Sequence, residues 1–198
     1  GKIPSDQAVV LNIFDNFKPS DAITATAKAD GSFAFNDIKM SEGRAFIIST
    51  KYNEIVYVSD VISVAAGTTQ YDAPIQIFET TNDAAAVRIE QMHIVMEFDQ
   101  TIVRVGELFV VSNLGDRAYA AAKPGDPTLN FSLPNGYKDL QFEDGILGGR
   151  YKQTPDGFAD TQPVRPGTGN YEIVVQYTLP YTDALTFAQK VFYTTNNL

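Results

Sequence analysis

The chain has 198 residues, with 15 lysines and arginines against 24 aspartates and glutamates, so its formal net charge is −9. It contains one histidine, no cysteine and no tryptophan. These counts exclude thiol nucleophiles, disulfides, cysteine-ligated zinc and iron–sulfur clusters, and the acidic balance argues against a binder of nucleic acid phosphates.

Period-two alternation of apolar residues is the dominant pattern along the first half of the chain. It predicts strands at 9–13, 33–35, 46–48, 55–58, 61–64 and 73–78. Gly, Pro, Asn or Asp interrupts the pattern every few residues, as is typical of turns between short strands. One face of each such strand should be buried and the other exposed to solvent.

The second half repeats this pattern, with strands predicted at 92–98, 103–111, 129–133, 140–142, 171–179 and 185–193. The Gly/Pro-rich stretch 145–169 is interpreted as a long loop. Between the halves, Asn82 or Asp83 could cap one helical turn over 84–86, although the polar stretch 81–89 is better interpreted as a linker. The sequence therefore predicts an all-β chain of two consecutive immunoglobulin-like or prealbumin-like β-sandwich domains, 1–80 and 86–198.

The segment from Ala29 to Ile38 reads Ala-Asp-Gly-Ser-Phe-Ala-Phe-Asn-Asp-Ile. With the Thr-rich stretch 23–26 before it and the aromatic-bearing stretch 45–48 after it, this segment resembles the hairpin of carboxypeptidase regulatory-like domains, a transthyretin-like β-sandwich family. The resemblance covers roughly residues 8–79. The second half, at 106–113, 131–136 and 174–181, is similar to β-rich regions of bacterial envelope proteins. The family resemblance implies folding support, adhesion or ligand presentation at the cell exterior, without chemistry of its own, and the similarity of the second half implies no activity.

The start of the chain departs from the resembled family, whose domains usually open with a strand that is missing here. Residues 1–7 look like the turn that follows that strand. We therefore expect the first domain to expose a sheet edge or a groove unless another chain fills it. The absence of an initiator Met and the ending soon after the strand 185–193 favour a processed form or fragment, and no apolar run is long enough to span a membrane.

Calcium is the one metal for which the sequence offers ligands. Asp156 and Asp160 place two carboxylates across a glycine turn, and Glu143 and Asp144 precede them in sequence. Calcium prefers carboxylate and carbonyl oxygens, although the usual spacing of a calcium loop is absent. No other cofactor is expected.

Aromatic residues beside the loop 145–169 form a candidate binding surface, with Tyr151, Phe158 and Tyr171 as its members. Such rings can stack on sugars, but tyrosine is also common within strands, where it packs against the core. Two interpretations therefore stay open: these rings bind a carbohydrate, or they pack against the core.

Catalysis is not favoured. His93 should point away from the apolar face formed by Met92 and Ile94, and no nucleophile motif accompanies it. The acidic pair Glu97 and Asp99 belongs to no recognisable catalytic motif. A hydrolase that uses only carboxylates, such as Glu97 or Asp156, is therefore kept only as a third hypothesis.

The leading hypothesis is a non-enzymatic bacterial protein of the cell envelope or exterior, with a structural or binding role. Its sharper form is a filament subunit assembled by β-strand addition, since a domain that lacks a strand can accept one from a neighbour. Its partner would be another copy or an envelope protein, with no nucleic acid and no membrane span. The alternative hypothesis is a carbohydrate- or calcium-binding accessory module.

Overall fold

The computed structural model describes Pro4 and residues 6–197, and the described chain is all-β. Most of the turn expected over residues 1–7 lies outside the described residues. The chain divides into two compact units, Gly1–Glu79 and Thr80–Leu198. That these units are two immunoglobulin-like domains stays a prediction. Among the described residues, no helix is long and apolar enough to cross a membrane.

The first unit is built on one antiparallel sheet. Its strands are β1 (Ala8–Asp15), β2 (Lys18–Thr26), β3 (Arg44–Tyr52), β4 (Ile55–Val58) and β5 (Ile62–Ser63). The strand order is β2-β1-β3-β4, with β5 also paired to β3. The β1–β2 hairpin closes through Asn16 and Phe17, both with positive φ, which is the backbone geometry that tight two-residue hairpins prefer.

Alternation in β1 and β3 sets the core of this unit. Val9, Leu11 and Ile13 are buried on one face of β1, as the pattern predicts, and Phe46 and Ile48 of β3 lie on the same face. Because successive strand residues point to opposite sides, the intervening residues face away from this core. The sheet therefore has one apolar face that needs a cover.

That cover comes from two segments without strand structure, residues 33–40 and 69–78. Phe33, Phe35 and Ile38 of the first segment and Ala73 and Ile75 of the second pack against the core and remain partly exposed. The strands predicted at 33–35 and 73–78 are therefore absent. Alternation is present in both segments, but among the described residues neither has a hydrogen-bonded neighbour that would make it part of a sheet.

The second unit begins with β6 (Thr80–Thr81) and a short 3₁₀ helix (Ala84–Ala86). Asp83 caps this helix, and its Oδ1 accepts a hydrogen bond from the backbone amide of Ala85 at 3.0 Å. The sequence allows this turn with Asn82 or Asp83 as its cap, and the structure has it with Asp83. The stretch 81–89, interpreted from the sequence as a linker, also contains the start of β7 (Val87–Phe98).

The other strands of the second unit are β7 (Val87–Phe98), β8 (Ile102–Asn113), β9 (Ala118–Tyr119), β10 (Leu129–Ser132), β11 (Lys138–Phe142), β12 (Tyr151–Thr154), β13 (Gly157–Asp160), β14 (Gly167–Pro180) and β15 (Thr194–Asn197). They form a five-stranded sheet, β11-β14-β8-β7-β15, and a three-stranded sheet, β10-β13-β12. The remaining strands, β6 and β9, pair in parallel.

Buried residues of both larger sheets share one core, an arrangement consistent with a β-sandwich. Phe109 of the five-stranded sheet lies 4.7 Å from Phe131 of the three-stranded sheet, measured between ring centroids, and Phe131 stacks on Phe158 at 5.0 Å. All three rings are essentially inaccessible to solvent.

Two predictions for the second unit need correction. The stretch 145–169 is not simply a loop, because it contains the β12–β13 hairpin and the start of β14. The strand predicted at 185–193 is absent, since those residues run along the core without sheet pairing. The strand β15 follows instead, and it pairs in parallel with β7.

Candidate functional site

The main candidate site is an apolar groove in the first unit, which we call the sheet groove. It lies over β1 and β3 between the segments 33–40 and 69–78, and it encloses about 1040 Å³. Its apolar lining comprises Leu11, Phe33, Phe35, Ile38, Met40, Phe46, Ile48, Ile62, Ala73 and Pro74. The volume is at the upper end of the range for pockets that bind small ligands.

Both flanking segments leave most of their backbone groups without a partner among the described residues. Among the described residues, no backbone amide of 33–40 or 69–78 donates a hydrogen bond within the chain, and only the carbonyls of Lys39 and Phe78 accept one. Backbone amides and carbonyls are obligatory hydrogen-bonding groups, and an extended segment normally pairs them with a neighbouring strand. The groove is therefore bordered by two rows of free donors and acceptors.

The first segment is fixed at its ends. At its start, Asp30 Oδ1 accepts bonds from the backbone amide and the hydroxyl of Ser32, at 2.9 and 2.7 Å, and these bonds lower the pKa of Asp30. At its end, Arg44 donates to the Lys39 carbonyl at 3.0 Å and binds both oxygens of Asp15. The hydrogen bond from Arg44 lowers the pKa of Asp15 to about 2.

Tyrosine hydroxyls fix the second segment. The hydroxyl of Tyr71 accepts a bond from the backbone amide of Ala65 at 2.7 Å, and Tyr57 donates to the Phe78 carbonyl at 3.1 Å. Tyr52 donates to Glu79 at 2.5 Å. The two borders of the groove are thus anchored at their ends, while the backbone groups between the anchors stay available.

Two carboxylates, Asp37 and Asp72, also line the sheet groove, and no lysine or arginine of the described residues does. An occupant with an apolar face and a basic group at its margin would match this lining.

A buried ion pair links the turn before β12 to β13, and a tyrosine of β14 is bonded to it. Asp160 is fully buried, and Arg150 donates to both of its oxygens, with the shortest distance 2.7 Å. The Tyr171 hydroxyl donates to Asp160 at 2.7 Å, and the guanidinium lies over the rings of Tyr151 and Tyr171. Burial and the adjacent carboxylate raise the pKa of Tyr171, so its hydroxyl stays protonated as a donor.

The two carboxylates predicted to bind calcium each have a cationic partner. Asp160 binds Arg150, and Asp156 accepts a bond from Lys190 at 2.6 Å. Within the part of the chain that the structure describes, no group of three or more acidic, histidine or cysteine side chains could hold a metal ion. Calcium would have to compete with these cations, and its binding stays a prediction.

Of the three predicted members of an aromatic binding surface, Tyr151 and Phe158 are buried and Tyr171 is partly exposed. Tyr151 and Phe158 have relative exposures of 1% and 0%, and Tyr171 is engaged with Asp160. Tyr151 stacks on Phe142 at 3.8 Å between ring centroids. These rings contribute packing to the core of the second unit. Tyr151 and Phe158 belong to the β12–β13 hairpin, and Tyr171 lies in β14.

Sequence reasoning missed a buried carboxyl in β8. Glu107 is 1% exposed, and it accepts hydrogen bonds from the Tyr177 hydroxyl and, at 3.3 Å, from the Gln189 amide. Burial raises the pKa of Glu107. A signal was present, since Glu107 takes an inward position in the alternating run Val105, Glu107, Phe109.

The remaining catalytic candidates are exposed. His93 contacts Gln91 at 3.2 Å, and Glu97 and Asp99 lie 3.9 and 3.5 Å from Arg104. Asp144 pairs with Arg150 at 2.7 Å. These contacts are those of surface side chains and ion pairs.

Comparison of this chain with protein-family models, curated proteins and solved structures gives no match. The resemblance to carboxypeptidase regulatory-like domains therefore stays a prediction.

Proposed function

We propose that this chain is a non-enzymatic structural or binding protein of the bacterial cell envelope or exterior, and that its first unit accepts a β-strand from a second copy. The observation that carries the proposal is the sheet groove, with an apolar floor and unpaired backbone on both sides. An added strand supplies main-chain hydrogen bonds for affinity and alternate side chains for specificity.

The added strand would lie between residues 33–40 and 69–78. Strands in a sheet are about 4.8 Å apart, so one strand placed between two borders can pair with both. Its amides and carbonyls would satisfy the free groups along each segment. The product would be a second sheet, which closes the first unit into two layers.

The floor of the groove determines which side chains an inserted strand should carry. Leu11, Phe46 and Ile48 present an apolar surface, and every second side chain of an inserted strand would point toward it. Full burial of one aliphatic side chain contributes about 1.5–3 kcal/mol. A few such side chains would give a stable contact when combined with backbone pairing.

Assembly follows from the type of contact. A strand of one copy entering the groove of the next makes a heterologous contact, which generates a filament when the rotation does not close. The acidic composition and the absence of cysteine are compatible with an exterior location, where the resembled envelope proteins act. The proposal needs no catalytic group.

The test combines mass measurement with hydrogen exchange. Light scattering across a concentration series should show growth beyond the monomer. Hydrogen–deuterium exchange should show that amides of 33–40 and 69–78 exchange rapidly in the dilute monomer and become protected on association.

The substitution Ala73→Phe fills the groove and should prevent both effects. The control Gln76→Phe adds the same ring at an exposed position of the same segment and should leave both unchanged. A chain that stays monomeric at high concentration, or that associates without protection of these amides, would contradict the proposal.

A further inference from the structure

The outer face of the five-stranded sheet carries a second concave surface, in the second unit. We call it the Gly106 depression. Buried Val105 and Tyr177 point into the core, so Gly106 and Gln176 face outward. The depression encloses about 460 Å³ and crosses β11, β14, β8 and β7.

The depression exists because residue 106 has no side chain. The backbone conformation at this position does not require glycine. Its φ is not in the left-handed region, no register shift occurs beside it, and a Cβ placed there would meet no atom within 4 Å. A glycine inside a strand weakens the strand and often marks a place where a ligand approaches closely. The missing side chain is therefore best explained by something that occupies the space above Gly106.

Polar side chains surround the glycine in two rows across the strands. The first row runs from Gln141 through Gln176 to Gly106 and Val95, and the second runs from Thr178 through Arg104 to Glu97. The side-chain amides of Gln141 and Gln176 make no hydrogen bond among the described residues. They are available to a ligand as donors and acceptors.

The charged groups of the depression are only loosely engaged. Arg104 lies 3.9 Å from Glu97 and 3.5 Å from Asp99. Asp139 accepts a bond from the Thr178 hydroxyl at 3.0 Å and has a φ of 54° within the irregular pairing of β11. Irregular strand positions of this kind commonly redirect a side chain toward a binding site.

These groups favour one ligand chemistry. The lining contains amides, a hydroxyl, a guanidinium and carboxylates, so it offers both donors and acceptors, which suits hydroxyl groups that both donate and accept. The backbone beneath is already paired within the sheet, so strand addition has no free groups to use here. The lining holds one arginine and two carboxylates, which disfavours a polyanion.

We propose that the Gly106 depression binds a segment of a neutral polysaccharide, whose hydroxyl groups pair with Gln141, Gln176 and Asp139. This site is separate from the sheet groove and goes beyond the role in assembly. It gives the chain a means of adhering to a glycan surface.

The experiment uses the whole chain with three neutral polysaccharides, a β-glucan, a xylan and a mannan, and with heparin as a polyanion. Affinity electrophoresis or calorimetry should show binding to at least one neutral polymer. Gly106→Val should weaken that binding at least about tenfold while the melting temperature stays the same or rises, because valine favours strands and meets no clash.

The control Glu172→Val changes an exposed position on the same face outside the depression and should bind like the unmodified chain. Gln176→Ala tests the same site without filling it and should also weaken binding. Ala73→Phe should bind normally, because it alters only the sheet groove. Failure to bind any of the three neutral polymers, a preference for heparin, or unchanged binding by both Gly106→Val and Gln176→Ala would overturn the proposal.

Discussion

Each unit of this chain contains a five-stranded sheet with one apolar face, and the two units cover that face in different ways. In the second unit, a hydrogen-bonded sheet covers it, and Leu129 and Phe158 are fully buried. In the first unit, unpaired segments cover it, and Phe33 and Phe35 stay partly exposed beside a groove. The difference shows that apolar contact alone does not complete a layer, because the backbone of the cover must also find partners.

The largest expected effects are in the second unit. Arg150→Ala should lower the free energy of unfolding by about 3–5 kcal/mol, because it leaves the Asp160 carboxylate buried without a cation. Guanidinium chloride unfolding at neutral pH measures this. In the first unit, Lys51→Ala breaks an exposed pair with Glu54 and should change stability little. Equal losses in the two variants would contradict this contrast.

The aromatic residues of the two covers provide the next comparison. Phe158→Ala removes a fully buried ring and should cost about 3–5 kcal/mol. Phe35→Ala removes a ring beside the groove and should cost clearly less, since that ring is already partly exposed. Urea unfolding monitored by hydrogen exchange in each unit measures both losses. A larger loss for Phe35→Ala would mean that the first unit is packed as tightly as the second.

The smallest expected effects are on the pH dependence of stability, where Glu107 and Asp15 should act in opposite directions. The raised pKa of Glu107 means that the folded chain holds a proton which the unfolded chain releases, so stability from this group falls as the pH rises above the ordinary carboxyl range. The pKa of Asp15, lowered to about 2, gives stability that is present above 3.8 and is lost as the pH falls toward 2.

The free energy of unfolding, measured from about pH 2 to above the ordinary carboxyl range, should therefore distinguish the contributions of Glu107 and Asp15. Relative to the unmodified chain, Glu107→Gln should gain stability as the pH rises, whereas Asp15→Asn should lose stability as the pH rises. Parallel curves for the two variants would show that these carboxyls do not titrate as their surroundings require.

Several local features were predictable because short-range physics determines them. The burial of Val9, Leu11 and Ile13 follows from alternation, and the cap at Asp83 follows from the preference of helix starts for a short polar side chain. Alternation also suggested strands at 33–35 and 73–78, where it only marks which side chains face the core. Strand pairing depends on a neighbour in space, which the local pattern does not contain.

The sites were harder to predict. Their residues are distant in sequence, or they lie in a stretch whose composition is typical of a loop. Asp160 follows a glycine turn and suggested a calcium ligand, but its burial beside Arg150 depends on the β12–β13 hairpin. That hairpin lies in a Gly/Pro-rich stretch that is typical of a loop. The sheet groove depends on how 33–40 and 69–78 pack over β1 and β3, and the Gly106 depression depends on the register of four strands.

The parallel pairing of β15 with β7 has a consequence for how the second unit forms. Asn196 donates to Glu90 across 106 residues of chain. The last described strand, β15, therefore completes a sheet that contains β7, the second strand of this unit. Contacts of such long sequence separation slow folding, since the loop entropy is lost before the contact forms. During synthesis, β7 must therefore wait with one edge open until nearly the whole unit has left the ribosome. A chaperone that shields open edges would have its greatest effect in that interval.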